Sequence, residues 1–358
     1  MASCFFISTD EIRCCGVVWL KPQGESPVTT QTSPTDTRRA SLLPAPVNSR
    51  RRHRRFPVLQ IVRVLGAGIV LWAVITYGVF GALKHSIITD PPANGTKDGG
   101  GSAAISAAAA LIRRELDENG WTPNDPIIAP ATVLDNMPNF QAGIIDAVGR
   151  FSFEMLDQIA RTRGSSSDDP DLERATGFLQ FPPDIWIWEP SRSLLPSVSS
   201  ESQYRQGLAA LERYNLRLAQ GEAVFERRAD TLAATLSRIS ADIGAQTAQL
   251  ERAQNTGWWI FSRRADDVFY HNKGMLHGYH VLLSGLGQDF DRVIQERSLG
   301  PIWSQALYGL EKGAQLQPFV VLNGDRDRSI FANHLALQGF YMKRAILQLE
   351  EAVNVLAV

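Results

Sequence analysis

From Val64 to Leu83 the chain runs for twenty residues without a charged side chain, with Thr76 as its one aliphatic hydroxyl. A helix of that length rises by roughly 30 Å, the thickness of a bilayer's hydrocarbon core. Arg50-Arg51-Arg52-His53-Arg54-Arg55 stands before the run and Arg63 closes the approach, whereas only Lys84 and His85 follow it. Basic flanks are retained in the cytoplasm, so the N-terminal side is expected there and the remainder across the membrane. A cleaved signal peptide would place its apolar core nearer the start and end on a small-residue cleavage pattern. Ser86-Ile87-Ile88-Thr89-Asp90-Pro91-Pro92 offers no such pattern. A soluble helix apolar all round and preceded by five arginines is the weaker alternative. The expectation is an uncleaved signal anchor that meets the lipid bilayer through residues 58–84.

The charge distribution agrees. Residues 1–83 hold 10 Lys and Arg against 4 Asp and Glu, a net of +6, and the other 275 residues carry −7. The acidic C-terminal part lacks the positive excess that neutralises phosphates, so no nucleic-acid partner is expected. Cys4, Cys14 and Cys15 are the only cysteines, which excludes a disulfide-stapled scaffold beyond the membrane. With 44% hydrophobic residues, full disorder is excluded too.

The chain divides by composition. Residues 1–49, rich in Pro, Ser, Thr and Gln over Pro22 to Asn48, read as a disordered cytoplasmic tail. Residues 50–57 are a basic juxtamembrane segment, 58–84 the anchor and 85–101 a flexible linker. Residues 102–358 read as an all-α periplasmic domain. The helical period predicts helices over Ser102–Glu118, Phe140–Arg161, Asp171–Gln180, Ser202–Gln220, Glu222–Ala253, Ala265–Leu286, Pro301–Leu316 and Phe331–Leu356. Ile185-Trp186-Ile187-Trp188 and Phe319-Val320-Val321-Leu322 suggest one or two short edge strands. The fold class is therefore all-α, a helical bundle with one or two short edge strands, preceded by a single transmembrane helix. Within Glu222–Ala253, Phe225, Ala229, Leu232, Leu236, Ile239, Ile243 and Leu250 form an apolar seam opposite small Ala234, Ala241 and Ala248. That pattern predicts a spine packed on both sides.

The strings WTPNDP (121–126), LDNMPNFQ (134–141), RTRGSS (161–166), EAVFERRAD (222–230), RADD-x-FY-x-x-KG (264–274) and NHLALQGFY (333–341) resemble those of an uncharacterised proteobacterial family catalogued as domain of unknown function 2333. The resemblance covers residues 102–356 and the anchor. It implies a single-span protein of a Gram-negative inner membrane, and no activity. The tail before Arg50 lies outside it, which leaves open a start further downstream.

Five groups of residues are candidates for chemistry or contact. Asp266, Asp267, Tyr270 and Lys273 lie within two turns of one helix, where carboxylates and a lysine can act as acid and base. The bland reading is that the acids favour the positive end of a helix start. Arg161, Arg163, Ser165 and Ser166 form an Arg-x-Arg-Gly-Ser-Ser loop that suits an anion, against a plain helix end with basic last-turn residues. His271, His277 and His280 have ligand-like steps, but nine residues turn the helix by about half a revolution, so the three cannot converge and half-exposed side chains are expected. Asn323–Ser329 alternates oxygens like a calcium loop yet lacks its glycine and its glutamate. Trp258, Trp259 and Phe261 beside Arg263 and Arg264 read as a core plug or an interfacial contact.

Neither a metal nor a cofactor is expected, because no phosphate loop, nucleophile elbow or zinc motif occurs. Three functional readings stay open. The leading one is a non-catalytic scaffold with an envelope protein as partner. The others are a periplasmic enzyme, hydrolytic in type, using Asp266 and Asp267 or the 161–166 loop, and a binding module for an anionic envelope lipid or glycan.

Overall fold

The structure, a computed structural model, describes residues 58–80, 87–92, 100–126, 135–163, 169–187, 195–256, 263–318, 321 and 333–357. Ten α-helices occur among them: α1 Val58–Ala73, α2 Ala103–Arg113, α3 Asn136–Arg163, α4 Pro170–Leu179, α5 Ser200–Gln220, α6 Ala229–Thr256, α7 Arg263–Asp289, α8 Asp291–Glu296, α9 Gly300–Gln315 and α10 His334–Ala357. Two π-helical turns continue α1 over Val74–Phe80 and α2 over Arg114–Glu118. Taken singly, no helix among the described residues is long and apolar enough to cross a membrane.

Local chemistry sets the boundaries. Ser102 caps α2, and the Asp289 carboxylate accepts from the Ser102 hydroxyl at 2.6 Å and from the amides of Ala103 and Ala104 at 2.9 and 3.0 Å. A buried carboxylate thus answers the orphan donors of the first turn. Gly120, at φ +73°, ends the π turn. Asp169 caps α4, whose first residue is Pro170, and Ser199 caps α5.

α7 is the centre of the bundle and packs against α2, α3, α6, α9 and α10. α3 runs parallel to it, with Asn139 facing Asp267 and Gly143 facing His271 and Met275. The crossing is backbone on backbone. A Cβ added at Gly143 would collide with the His271 carbonyl, and one at Gly274 with the Phe140 carbonyl. α2 runs antiparallel to α7, as Asp289 meets Ser102 and His277 meets Arg114. α9 does the same, with Gly287 on Trp303 and Gly313 on Leu276. The bundle thus has an Asp267 end and an Asp289 end.

The all-α bundle agrees with the sequence, with local corrections. No strand occurs among the described residues. Ile185 and Ile187 instead accept hydrogen bonds from the amides of Ser200 and Ser197 at 3.0 and 2.7 Å, a pairing too short for a ladder. Of the second expected strand only Val321 is described, and it is not in a strand. α6 begins at Ala229 rather than Glu222, because Gly221 turns at φ +78° and leaves 222–228 irregular. The seam Leu232, Leu236, Ile239, Ile243 and Leu250 is buried, but Ala241 and Ala248 are exposed, so α6 packs on one side and is not the spine. The segment expected to be a free linker is tied to the bundle. Ile87 packs against the cluster holding Leu250, Phe269, Tyr270 and Leu335, and Arg227 donates to the Gly101 carbonyl at 3.1 Å.

Candidate functional site

Polar side chains concentrate inside the bundle on α7 and the elements facing it. Arg114 and Glu115 open the π turn after α2 and are nearly inaccessible, at 5% and 0% exposure. The widened turn sends two successive charged side chains inward from an otherwise apolar, Ala-rich helix. Arg114 Nε donates to Glu115 at 3.0 Å, Nη1 to the Asp90 carbonyl at 2.6 Å and Nη2 to His277 Nε2 at 2.8 Å. Glu115 also accepts from Asn119 at 2.9 Å and from Gln141 at 3.2 Å. Gln141 in turn accepts from the amide and hydroxyl of Thr122 at 2.9 and 2.8 Å. A buried ion pair supported on both sides is the arrangement that tolerates burial.

His277 is wholly buried, not half-exposed as expected, and stacks on Phe140 at 5.9 Å. Burial first, then Arg114, His280 and Lys273, hold its pKa well below the ordinary value and keep it neutral. Because Nε2 accepts from Arg114, Nδ1 carries the proton, and this donor has no partner among the described residues. Among the described residues both amide atoms of buried Asn272 are unpartnered, and so is the Gln338 carbonyl, although the Gln338 amide donates to the Phe269 carbonyl at 3.0 Å.

Lys273 lies one turn before His277, 1% exposed, and donates to the Leu316 carbonyl at 2.7 Å. Burial lowers its pKa to about 8. Its ammonium stands 6.0 Å from the Tyr270 ring, and burial followed by Asp266 and Asp135 pushes the Tyr270 phenol up to about 12. Asp266 is in the first turn of α7, as a capping acid would be. Burial, then Asp135 and Asp267, raise its pKa to about 6. Asp267 accepts from Asn139 at 3.0 Å. The expected Asp266–Lys273 constellation is therefore partly assembled. The acids gather with Asp135, while Lys273 is drawn away to a backbone carbonyl.

The other candidates separate. Arg161 is exposed and pairs with Asp157, and Arg163 is the last residue of α3. Residues 164–168, with Ser165 and Ser166, lie outside the described residues, as do 257–262 and 323–329. His271 faces Asp146 at 3.4 Å, so the three histidines do not converge. Among the described residues no group of three His, Cys, Asp or Glu is placed to hold a metal. Three surface hollows, of about 360, 730 and 10 Å³, are lined around Asp146 and Arg238, around Arg227 and Arg297, and around Gln158 and Glu226 respectively. None of the three reaches Lys273, His277 or Asp266.

Periodicity missed Arg114, Glu115, Asp135, Asn139, Gln141, Asn272 and Gln338. The signal was present in another form. Asn139 and Gln141 lie in LDNMPNFQ, Thr122 in WTPNDP, Lys273 and Gly274 at the end of the RADD string, and Gln338 in NHLALQGFY. Four of the six strings that carry the resemblance thus hold residues that tie one element of the bundle to another.

No curated protein and no solved structure matches the chain. A family model matches residues 82–256, so it begins at the last two residues of the apolar run and ends with α6. Over that stretch the chain matches the family described as an uncharacterized protein conserved in bacteria, DUF2333, the family its strings resemble; the match takes in the strings up to 222–230 and stops short of those at 264–274 and 333–341.

Proposed function

We propose that the chain is a single-span protein of the bacterial inner membrane, with its N-terminus in the cytoplasm and its bundle in the periplasm. There it serves as a non-catalytic scaffold or interaction protein of the envelope. The carrying observation is the surface of α1 and its π continuation. Val64, Ile69, Val70, Trp72 and Val74 span every face of the helix and are all exposed, Val64 to 71%. That much apolar surface is costly in water and costs nothing in lipid. The two helical pieces are contiguous, 16 and 7 residues long, and α1 alone rises about 24 Å of the roughly 30 Å needed. The scaffold reading is supported by how the buried polar groups are used, since Arg114, Glu115, Gln141 and Lys273 bridge helices and none of them lines one of the three hollows.

A reporter active only outside the cytoplasm, fused after Val358, should be active. Activity of a cytosol-only reporter instead overturns the topology. Purification from membranes separates the roles: a stoichiometric protein partner supports a scaffold, and a retained lipid or glycan supports a binding module. One observation favours the enzyme reading, namely that the Asp266 carboxyl titrates at about 6 beside Asp135 and Asp267, a value suited to proton transfer near neutral pH. A null-like phenotype for Asp266→Asn in a chain that folds and reaches the membrane in normal amount would favour it over the scaffold.

A further inference from the structure

We infer that the loop between α4 and α5 is a second membrane contact, laid on the bilayer's outer interface by the anchor; this rests on the anchored reading above. Four large apolar side chains stand out from the loop: Trp186, Ile187, Leu195 and Val198, with Leu195 at 75% exposure. They are not the tips of a slack segment. Trp121 Nε1 donates to the Pro183 carbonyl at 3.1 Å and Asn124 to the Ile185 carbonyl at 3.0 Å. The amides of Ser197 and Ser200 close onto Ile187 and Ile185 from the other limb. The backbone is fastened to the bundle while Ile187, Leu195 and Val198 are half or more exposed and Trp186 is partly so.

The position of the loop says what covers it. Trp121 and Asn124 follow the π turn, and Arg205, at the start of α5, donates to the Leu116 carbonyl at 3.4 Å. The loop therefore sits at the Asp267 end. The chain coming from the anchor arrives at the same end, because Asp90 takes the Arg114 hydrogen bond and Ile87 packs on the Phe269–Leu335 cluster. Six residues separate Phe80 from Ile87, seven steps along the chain with a reach of at most about 25 Å even when fully extended. A bundle held that close presents this end to the headgroups, where tryptophan and aliphatic side chains are favoured. Ile88, also exposed, lies on the same approach. Residues 184–198 contain Asp184, Glu189 and Arg192, a net of −1, so contact is through apolar insertion and not attraction to anionic lipid.

The test uses the full chain with Cys4→Ser, Cys14→Ser and Cys15→Ser, carrying a single new cysteine labelled with an environment-sensitive fluorophore. The chain is reconstituted into phosphatidylcholine vesicles containing spin-labelled lipid as quencher. The new cysteine is Leu195→Cys, with Ile69→Cys marking the anchor and Arg297→Cys marking the Asp289 end. Quenching at Leu195 should be several-fold that at Arg297, unchanged by high salt or by anionic lipid. It should fall by about half when Trp186→Ser and Val198→Ser are added. Quenching at Ile69 with Leu195 no higher than Arg297 overturns the loop contact and leaves the anchor standing; a stoichiometric protein captured on the loop in that case would make it a protein-docking surface. No quenching at Ile69 overturns both.

Discussion

Gly274→Ala is the sharpest test of the bundle's architecture, because two effects oppose each other and the structure decides which wins. In an open helix the change is stabilising by up to about 1 kcal/mol, since alanine is the better helix former. At Gly274 the added methyl would land on the Phe140 carbonyl, a backbone atom of α3 that has no rotamer through which to yield. α3 and α7 must part by about 1 Å, a gap that forfeits a quarter to a half of each dispersion contact across the seam. Phe140, Ile144, Val148, Met275 and Tyr279 all lie in that seam's core. The loss is larger than the usual 1–3 kcal/mol of overpacking and exceeds the propensity gain, leaving a net destabilisation of about 3 kcal/mol. Gly177→Ala on α4 is the control: nothing stands within 4 Å of the added methyl, so it should stabilise slightly. Denaturant melts of the full chain in detergent, followed by far-UV circular dichroism, measure both. A Gly274→Ala protein as stable as the parent would refute the backbone-to-backbone crossing.

Leu236 is fully buried, and Leu236→Asp should cost several kcal/mol, whereas Ala241→Leu, on the exposed face of α6, should stay within about 0.5 kcal/mol; a folded Leu236→Asp chain that loses only self-association would make the seam an interface. Asp266 titrates at about 6 when folded against 3.8 when unconstrained, so its raised pKa costs stability progressively as pH rises from about 4 to 6. Asp266→Asn should match the parent's melting temperature near pH 4 and exceed it above pH 6; equal differences at both would remove the buried-acid assignment. Asn272 is buried with no partner for its amide among the described residues, so Asn272→Leu should raise stability by about 1–3 kcal/mol in the same melts. A destabilised variant would mean that the amide is satisfied in solution.

Where helices begin and end was legible because their signals are local. Asp169-Pro170, Ser199 and the alanine run after Ser102 each act within one turn. The start of α6 was read seven residues too early because Phe225 continues the seam by spacing, yet it packs from an irregular segment against Phe290 at 5.8 Å. The order of importance among the helices was not legible, and the reason is physical. α7 carries Gly274, Gly278, Gly285 and Gly287 together with Asn272, Lys273 and His277. Read along the chain, glycines weaken a helix and polar residues mark its wet side. Read across the bundle, each of these glycines is where a neighbour comes too close for a Cβ: α3 at Gly274 and Gly278, α2 at Gly285 and α9 at Gly287. The buried polar residues bind structure from afar, His277 reaching Arg114 across 163 positions and Lys273 reaching Leu316 across 43. A helix surrounded on nearly every side has little wet face for a periodicity to reveal, so the central helix is among those whose pattern looks least amphipathic. α6, with one dry face and one exposed face, keeps a more regular alternation of apolar and polar positions than α7 because it lies nearer the surface.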